Sequence, residues 1–445
     1  MLTRIEIDGF KTFENFALDL KPFAAIVGPN ASGKSNLFDA IRFLSLLARH
    51  DVRTAMQQLR GEPEELFRRT EASRASRMRF AVQILLDAEG TDSFGSQFEI
   101  KAQRLHYEVE ITIKHGSKGQ PRGIFVTGEE CRAIPRKEEK VTFPSIKYLA
   151  PTSRPFLLTK KEKGQTLAFE IRQDGATKRG RPVTLPAAEA SRTALSTIST
   201  AEFPHLYALK DLFVSTQFLE INPQAARRSS DRFESRDLRP DASNLSAVLA
   251  RLKEITAADD RPEGIIADIS ADLASLVPSV RSVKVFDDED TKEYSFGVAM
   301  SEQLQFSSRV ISDGTLRLLA LLAVLDDPNR KGILCFEEPE NGVHEGRIPM
   351  LVEFLRKAVS RPEAIGTDRL FQVLVNTHSP AVMAALQDEE IVAADSVSHI
   401  DPKSRTKAVK TRMRTGVKTE LDLNPETDLT RGEVAALLKR QSGEA

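Results

Sequence analysis

The first 27 residues alternate between apolar and polar positions. Leu2, Ile5 and Ile7 precede a turn at Gly9, Phe16, Leu18 and Leu20 recur at every second position, and 23–27 is an unbroken apolar run. A period of two predicts half-buried strands, and the unbroken run predicts a short strand covered on both faces. A glycine-rich stretch at 28–33 separates this run from Leu37, Ile41, Leu44 and Leu47, which share one face of a predicted helix. Alternation returns over 78–114, in MRFAVQILLDA and FEIKAQRLHYEVEITI, and predicts antiparallel pairing, with further short strands to about 172. From 186 to 257 the pattern is mostly helical. It is broken by ARRSSDRFESRDLRPD, whose polarity predicts a mobile loop.

The last third alternates element by element. Helices are predicted over 313–326, 343–358 and 380–387, and strands over 332–337 and 371–376. Strands that alternate with helices predict an α/β fold with a mainly parallel sheet. A hairpin over 391–397 and 406–413 about the turn DPKSRT, and a final helix near 431–440, complete the pattern.

Composition narrows the function classes. Of 445 residues, 40% are hydrophobic and 29% charged, as in ordinary globular proteins. The net charge is −1, from 63 basic and 64 acidic side chains, which excludes a basic nucleic-acid coat. Any DNA contact must rest on a local patch. Two arginine groups qualify: Arg68, Arg69, Arg74, Arg77 and Arg79, and Arg227, Arg228, Arg232, Arg236 and Arg239. Such groups neutralise phosphates, but acidic residues are interspersed in both, as on a solvated charged face. The two cysteines, Cys131 and Cys335, form no C-x-x-C, which argues against a disulfide framework or a cysteine zinc site. Cys335, inside an apolar run, reads as a buried small hydrophobe. No apolar run reaches the roughly 18 residues of a membrane span, and the N-terminus lacks a signal-peptide core, so a cytoplasmic protein is expected.

Four segments carry chemistry. Gly28-Pro29-Asn30-Ala31-Ser32-Gly33-Lys34-Ser35 satisfies G-x-x-x-x-G-K-[ST] and lies between a predicted strand and a predicted helix, the context this motif requires. Its glycines let backbone N–H groups close on phosphate, Lys34 can reach the β- and γ-phosphates, and the Ser35 hydroxyl can ligate Mg²⁺. In the second segment, the predicted strand from Ile333 ends in Glu337-Glu338-Pro339-Glu340. Carboxylates at a parallel strand's end suit an Mg²⁺ shell (Glu337) and an attacking water (Glu338), although acids also suit a plain helix start. The third, Asn376-Thr377-His378-Ser379-Pro380, follows another apolar strand and offers a histidine that can donate to a γ-phosphate. The fourth, Ile311-Ser312-Asp313-Gly314-Thr315, opens a very apolar helix, where Ser312 or Asp313 is either a simple N-cap or part of a phosphate-facing helix start.

In this order the four segments resemble the ABC-type ATPase heads of the SMC, RecF and OLD group. They come nearest a prokaryotic AAA-family branch found in OLD-type and other antiphage defence systems. GPNASGKSN resembles its Walker A, ISDGTLRLLALL its signature motif, CFEEPENGVH its Walker B with D-loop, and NTHSP its switch-histidine loop. FLEINPQAARR and LRPDASNLSAVL also resemble segments of this branch. The resemblance covers most of the chain and is strongest over 1–50 and 305–385.

It implies an α/β P-loop head in which 1–185 form the N-terminal half with an antiparallel β lobe, 186–300 a mostly helical insertion for partner or DNA contact, and 301–445 the C-terminal half. It further implies ATP and Mg²⁺. ATP would be bound by Gly28 to Asn36, Mg²⁺ by Ser35 and Glu337, and Glu338 would be the catalytic carboxylate, with His378 sensing the γ-phosphate. Ser312 and Gly314 would contact ATP held by a second protomer, so that ATP joins a homodimer, which larger assemblies can extend. Thr315 and Glu337 depart from transporter patterns but suit this branch. No Q-loop glutamine can be placed. Gln83, on a predicted strand, is a candidate that reads more readily as a surface residue.

The region after His378 is short for a TOPRIM nuclease and carries no Asp-x-Asp with a partnering glutamate. Sustained heptads and a cysteine hook are also missing from the stretch between Lys34 and Ser312. The expected function is therefore an ATPase that controls a separate effector, such as a nuclease, in antiphage defence. The alternative is a RecF-like repair ATPase acting on DNA.

Overall fold

Phe23–Val27 forms a strand with every side chain buried, as an unbroken apolar run requires. It pairs in parallel with Ile391–Ile400, Ala25 opposite Ile391 and Val27 opposite Ala393. That strand pairs antiparallel with Lys407–Arg414, which makes the expected C-terminal hairpin. The computed structural model describes residues 1–70, 73–115, 121–139, 143, 146–149, 154–175, 182–300, 304–361, 369–400, 407–417 and 428–439, and so leaves the DPKSRT turn itself outside the described residues. The chain divides into two compact units. One comprises 1–216, 360–372 and 387–445, the other 217–359 and 373–386.

The first unit also holds the expected antiparallel lobe, an eight-stranded sheet. In spatial order its strands are Val183–Pro186, Gln165–Ile171, Leu157–Glu162, Pro121–Ala133, Arg104–His115, Arg77–Leu85, Leu2–Asp8 and Phe16–Asp19. The register of Leu2–Asp8 places Ile5 opposite Leu18 on one side and Val82 on the other, so one apolar face is continuous. The helix Lys34–Leu47 buries Leu37, Ile41, Leu44 and Leu47, the stripe its spacing predicted. Its Phe43 meets Phe80 of the sheet at 5.5 Å edge-on, and Phe10 packs on both rings. Edge-on rings of this kind add about 0.5–1.5 kcal/mol beyond their area, and here they fix the phosphate-loop helix to the β lobe.

A buried acid stands in this lobe. Glu129 accepts hydrogen bonds from the backbone N–H of Leu195 (3.0 Å) and Ala194 (2.5 Å) and from the Tyr107 hydroxyl (2.9 Å). Burial outweighs these bonds and pushes its carboxyl from 4.5 up to about 7. The folded chain therefore holds this proton more tightly than the unfolded chain. The associated stability is complete below pH 4.5 and is lost as pH rises through about 7. The upper bound is about 3 kcal/mol. Asp326, half-buried near Asp272 in the other unit, is also pushed up to about 7 and acts with the same sign. Melting temperature is thus expected to fall across this window, with a shallower fall in Glu129→Gln. An unchanged slope in that variant would assign the effect elsewhere.

In the second unit, Gln217–Leu219 pairs in parallel with Gly332–Glu337, Phe218 opposite Cys335. The segment from Val373 of the strand Phe371–Thr377 follows in the same sheet. Asp313–Leu325 is a helix buried on almost every side, as its composition demands. The stretch 186–300 departs from expectation. The unit boundary at 216/217 divides it, and it is not mostly helical. Besides Pro204–Val214, Leu245–Thr256 and Ile266–Leu276, it contains the antiparallel strands Val280–Asp288 and Glu293–Met300. Val283 and Phe296, Val298 point into the core on alternate positions, so strand periodicity wins there.

The polar segment 226–241 is tied down rather than free. The buried Asn244 side chain donates to Ser235 O (2.7 Å) and Asp237 O (2.8 Å) and accepts from Arg239 N–H (2.9 Å). Both cysteines are buried, and neither is in a disulfide. Among the described residues no helix is long and apolar enough to cross a membrane.

Candidate nucleotide site

The loop from Gly28 to Ser35 leaves the buried strand Phe23–Val27 and enters the helix at Lys34, the order the motif needs. Two residues take left-handed backbone, Ala31 (φ 62°) and Gly33 (φ 95°), a conformation in which successive N–H groups can form an anion-binding concavity. Gly33 has a second reason to be glycine: a Cβ there would lie 2.0 Å from Thr411 Oγ1. At Gly28 a Cβ would lie 2.3 Å from the carbonyl oxygen of Ala394. The C-terminal hairpin therefore presses on the loop and fixes its shape. Thr411 shares a 2.7 Å hydrogen bond with Thr12, and Asn36 donates to Thr12 at 2.9 Å. Lys11 pairs with Asp39 at 2.5 Å on the helix behind.

These residues fit a nucleotide phosphate. Lys34, largely buried, folds over the loop and donates to Gly28 O (2.7 Å) and Pro29 O (2.8 Å). The Ser32 hydroxyl is buried without a hydrogen-bond partner among the described residues. A buried hydroxyl without a partner costs about 1–3 kcal/mol, and a phosphate oxygen would satisfy it. Ser35 and Asn36 are half-buried beside it. Pro29 and Asn30 form the outer rim.

Ser312, Gly314, Glu337, Glu338 and His378 belong to the second unit. Glu337 closes the strand Gly332–Glu337, and Glu338 follows in left-handed backbone, φ 51°. A non-glycine residue held there stores about 1–3 kcal/mol, a cost that clusters at functional sites. The turn is held by Glu338 N–H donating to Asn376 O at 2.9 Å. Glu338 Oε1 lies 3.2 Å from His378 Nδ1, and Asn341 Nδ2 donates to Glu338 Oε2 at 2.8 Å. So the proposed base and the proposed sensor meet at two strand ends. Both are about 40% exposed, within reach of a ligand. Among the described residues no group of three or more His, Cys, Asp or Glu side chains is arranged to hold a metal ion. Mg²⁺ commonly binds through one or two protein oxygens plus substrate phosphates, and the half-buried Ser35 hydroxyl next to Lys34 is an oxygen of that kind.

Ser312 is the N-cap of the apolar helix. Its hydroxyl accepts from Thr315 N–H (3.2 Å) and lies 2.7 Å from Thr315 Oγ1. Ser312 and Asp313 face solvent, so the cap function and a role toward a ligand are compatible. Arg227 fixes this start, donating to Ile311 O (2.7 Å) and to Asp313 Oδ1 (2.6 Å). Gly314 touches Gly342 backbone to backbone: a Cβ on Gly314 would lie 2.7 Å from Gly342 O.

Several supporting residues escaped the sequence reading. Glu340 accepts from Thr377 Oγ1 at 2.5 Å, and Thr377 Oγ1 in turn accepts from Ser379 N–H at 2.9 Å. Burial holds the Glu340 carboxyl above the usual range, the Thr377 hydrogen bond opposing it. Asn341-Gly342, a turn signal directly after the acids, is the trace that could have revealed the Gly314 contact. Gln83 stands mid-strand in the eight-stranded sheet, paired with Arg4 and His106.

The arginine groups are largely committed to carboxylates. Arg68 pairs with Glu14, Arg74 with Glu64, Arg77 with Glu110, and Arg79 with Glu6 and Glu108. Arg227 pairs with Asp313, Arg232 with Asp287, Arg236 with Glu254 and Arg239 with Glu234. These pairs answer to the solvated charged face more than to a phosphate-reading patch.

Two family models match different parts of the chain. The family described as "AAA domain, putative AbiEii toxin, Type IV TA system" matches residues 170–384. The family described as "RecF/RecN/SMC N terminal domain" matches residues 1–134. The chain is 57% identical over 44 residues to the chromosome partition protein Smc of Methanocaldococcus jannaschii, 10% of this chain and 4% of that protein. It is 45% identical over 62 residues to the structural maintenance of chromosomes protein 1 of Arabidopsis thaliana, 14% of this chain and 4% of that protein. Only a small fraction of either relative's length is therefore matched. Among solved structures, an Smc head bound to the C-terminal winged-helix domain of ScpA aligns with a TM-score of 0.49 and 13% identity, over 92% of this chain and 97% of that one. A Pyrococcus furiosus Smc head with an extended coiled coil, bound to the C-terminal domain of ScpA, gives 0.49 and 12% identity, over 99% of this chain and 98% of that one.

Proposed function

We propose that this chain, an ABC-type P-loop ATPase of the SMC-like kind, binds ATP as the joint between two copies of itself and hydrolyses it to control a separate effector. The observation that carries hydrolysis is the strained Glu338, held by Asn341 and lying 3.2 Å from His378. Lys34 and the loop from Gly28 to Asn36 hold the phosphates. Glu338 takes a proton from the attacking water, and His378 donates to the γ-phosphate. Ser35 and Glu337 would hold Mg²⁺, whose charge stabilises the phosphoryl group in transfer. Ser312 and Gly314 contact ATP held by the partner protomer, a role supported by the exposure of Ser312.

Lys34→Ala is expected to weaken ATP binding at least about 100-fold, because the charge-assisted bonds to phosphate are lost. The ATP-dependent dimer should disappear with it in sedimentation velocity. A dimer that still forms on ATP addition would mean that ATP is not the joint.

The match to a family described by a toxin–antitoxin system supports effector control in a cytoplasmic defence system. The RecF/RecN/SMC match over 1–134 supports the second reading, a repair ATPase acting on DNA. Pull-down of tagged Glu338→Gln with ATP and the neighbouring gene products separates them. Recovery of a nuclease or another toxic protein supports effector control, and recovery of DNA or repair factors alone overturns it.

A further inference from the structure

Arg228 stands apart from its neighbours in sequence. Most arginines of its group are paired with carboxylates, but its guanidinium has no ion pair among the described residues, and the same holds for Arg309. Both are exposed, and both line one cavity of about 730 Å³ in the second unit. Among the described residues no carboxylate lines it. Two uncompensated guanidinium groups facing one cavity favour an anion, and their planar forks match phosphate oxygens.

The other lining groups say what the anion is attached to. Phe286 and Phe306 contribute rings, and Phe286 is 41% exposed, which is unusual for a phenylalanine on a strand. Gly297 carries no side chain to cover it: a Cβ there would lie 3.4 Å from Phe286 Cε2. An exposed ring beside unpaired arginines matches a planar base joined to a phosphate, since bases stack on aromatic faces while guanidinium groups hold the backbone. Ser295 and Ser307, also in the lining, supply hydroxyl donors and acceptors for the sugar and base edges.

We infer that this cavity binds a nucleoside phosphate, base against Phe286 and phosphate between Arg228 and Arg309, as a site separate from the phosphate loop. Its source is either a free nucleotide or one unit of a single strand. The site adjoins the apolar helix through Arg227, which lines the cavity while donating to Ile311 O and Asp313.

The test uses the full chain carrying Lys34→Ala, so that the phosphate loop is silent, and fluorescein-labelled oligothymidylate of about 12 nucleotides. Anisotropy is expected to show binding that weakens steeply with salt. Arg228→Ala with Arg309→Ala should weaken it at least about tenfold, and Phe286→Ala about tenfold on its own. These side chains are exposed, and an unchanged melting temperature confirms that each variant is folded. Competition by millimolar thymidine monophosphate assigns the site to free nucleotides, and resistance to it assigns the site to a strand. Binding that ignores all three substitutions, or no binding at all, overturns the inference. So does a phosphoserine peptide bound equally well whether or not Phe286 is present. ATP turnover of the otherwise unchanged chain is measured separately, so failure here leaves the ATPase reading standing.

Discussion

Glu338→Gln is expected to bind ATP as the parent does and to lower turnover by about 10²–10⁴-fold, the range a positioned general base supplies. The substitution is close to isosteric, so the turn at φ 51° and the backbone bond to Asn376 O should survive. The amide oxygen can still accept from Asn341, and the amide nitrogen can face His378. Only the basicity is lost. ATP should therefore accumulate in a bound dimer, seen as retained nucleotide with no phosphate release. Turnover at the parental rate would remove Glu338 from the role. Glu340 is a poor replacement for it. Burial raises its carboxyl toward the neutral form, and one oxygen is already engaged by Thr377. Glu340→Gln should consequently act through the position of the His378 loop, with a smaller loss than Glu338→Gln and an altered pH profile.

The parts legible in the sequence were those set by local pattern. The phosphate loop was readable because an unbroken apolar strand, a glycine turn and a helical stripe follow one another within 1–47, and all three have the predicted form. The strand Gly332–Glu337 and the helix Asp313–Leu325 were readable for the same reason. What was not readable depends on residues distant in sequence. Thr411 has no local reason to matter, yet its side chain occupies the space a Gly33 Cβ would need. Asn244 turns a polar run into an anchored segment by bonding Ser235 and Asp237. The hairpin Val280–Met300 was misread although its alternation was present, because the helical run before it set the expectation. Its turn, Asp288 to Lys292, is marked by Asp288 accepting from Asp290 and Thr291 N–H groups.

Gly314→Ala tests how the helix Asp313–Leu325 is seated, and here two physical effects have opposite signs. Alanine inside a helix is ordinarily favoured over glycine by about 1 kcal/mol. Near Asp313 the added Cβ would meet Gly342 O at 2.7 Å and Gly342 Cα at 2.9 Å. Both atoms are backbone and cannot rotate away, so overpacking of about 1–3 kcal/mol should win. A lower melting temperature is therefore expected where propensity alone predicts a higher one. Gly342→Ala should cost more. It adds left-handed strain at φ 90° to a Cβ lying 2.5 Å from Gly314 Cα. The turn that carries Gly342 also carries Asn341, which holds Glu338, so displacing it should slow hydrolysis as well as loosen the fold. If Gly314→Ala raises the melting temperature and leaves turnover intact, the two backbones do not meet. The link from this helix through Gly342 and Asn341 to Glu338, the proposed catalytic carboxylate, would then fail at its first contact.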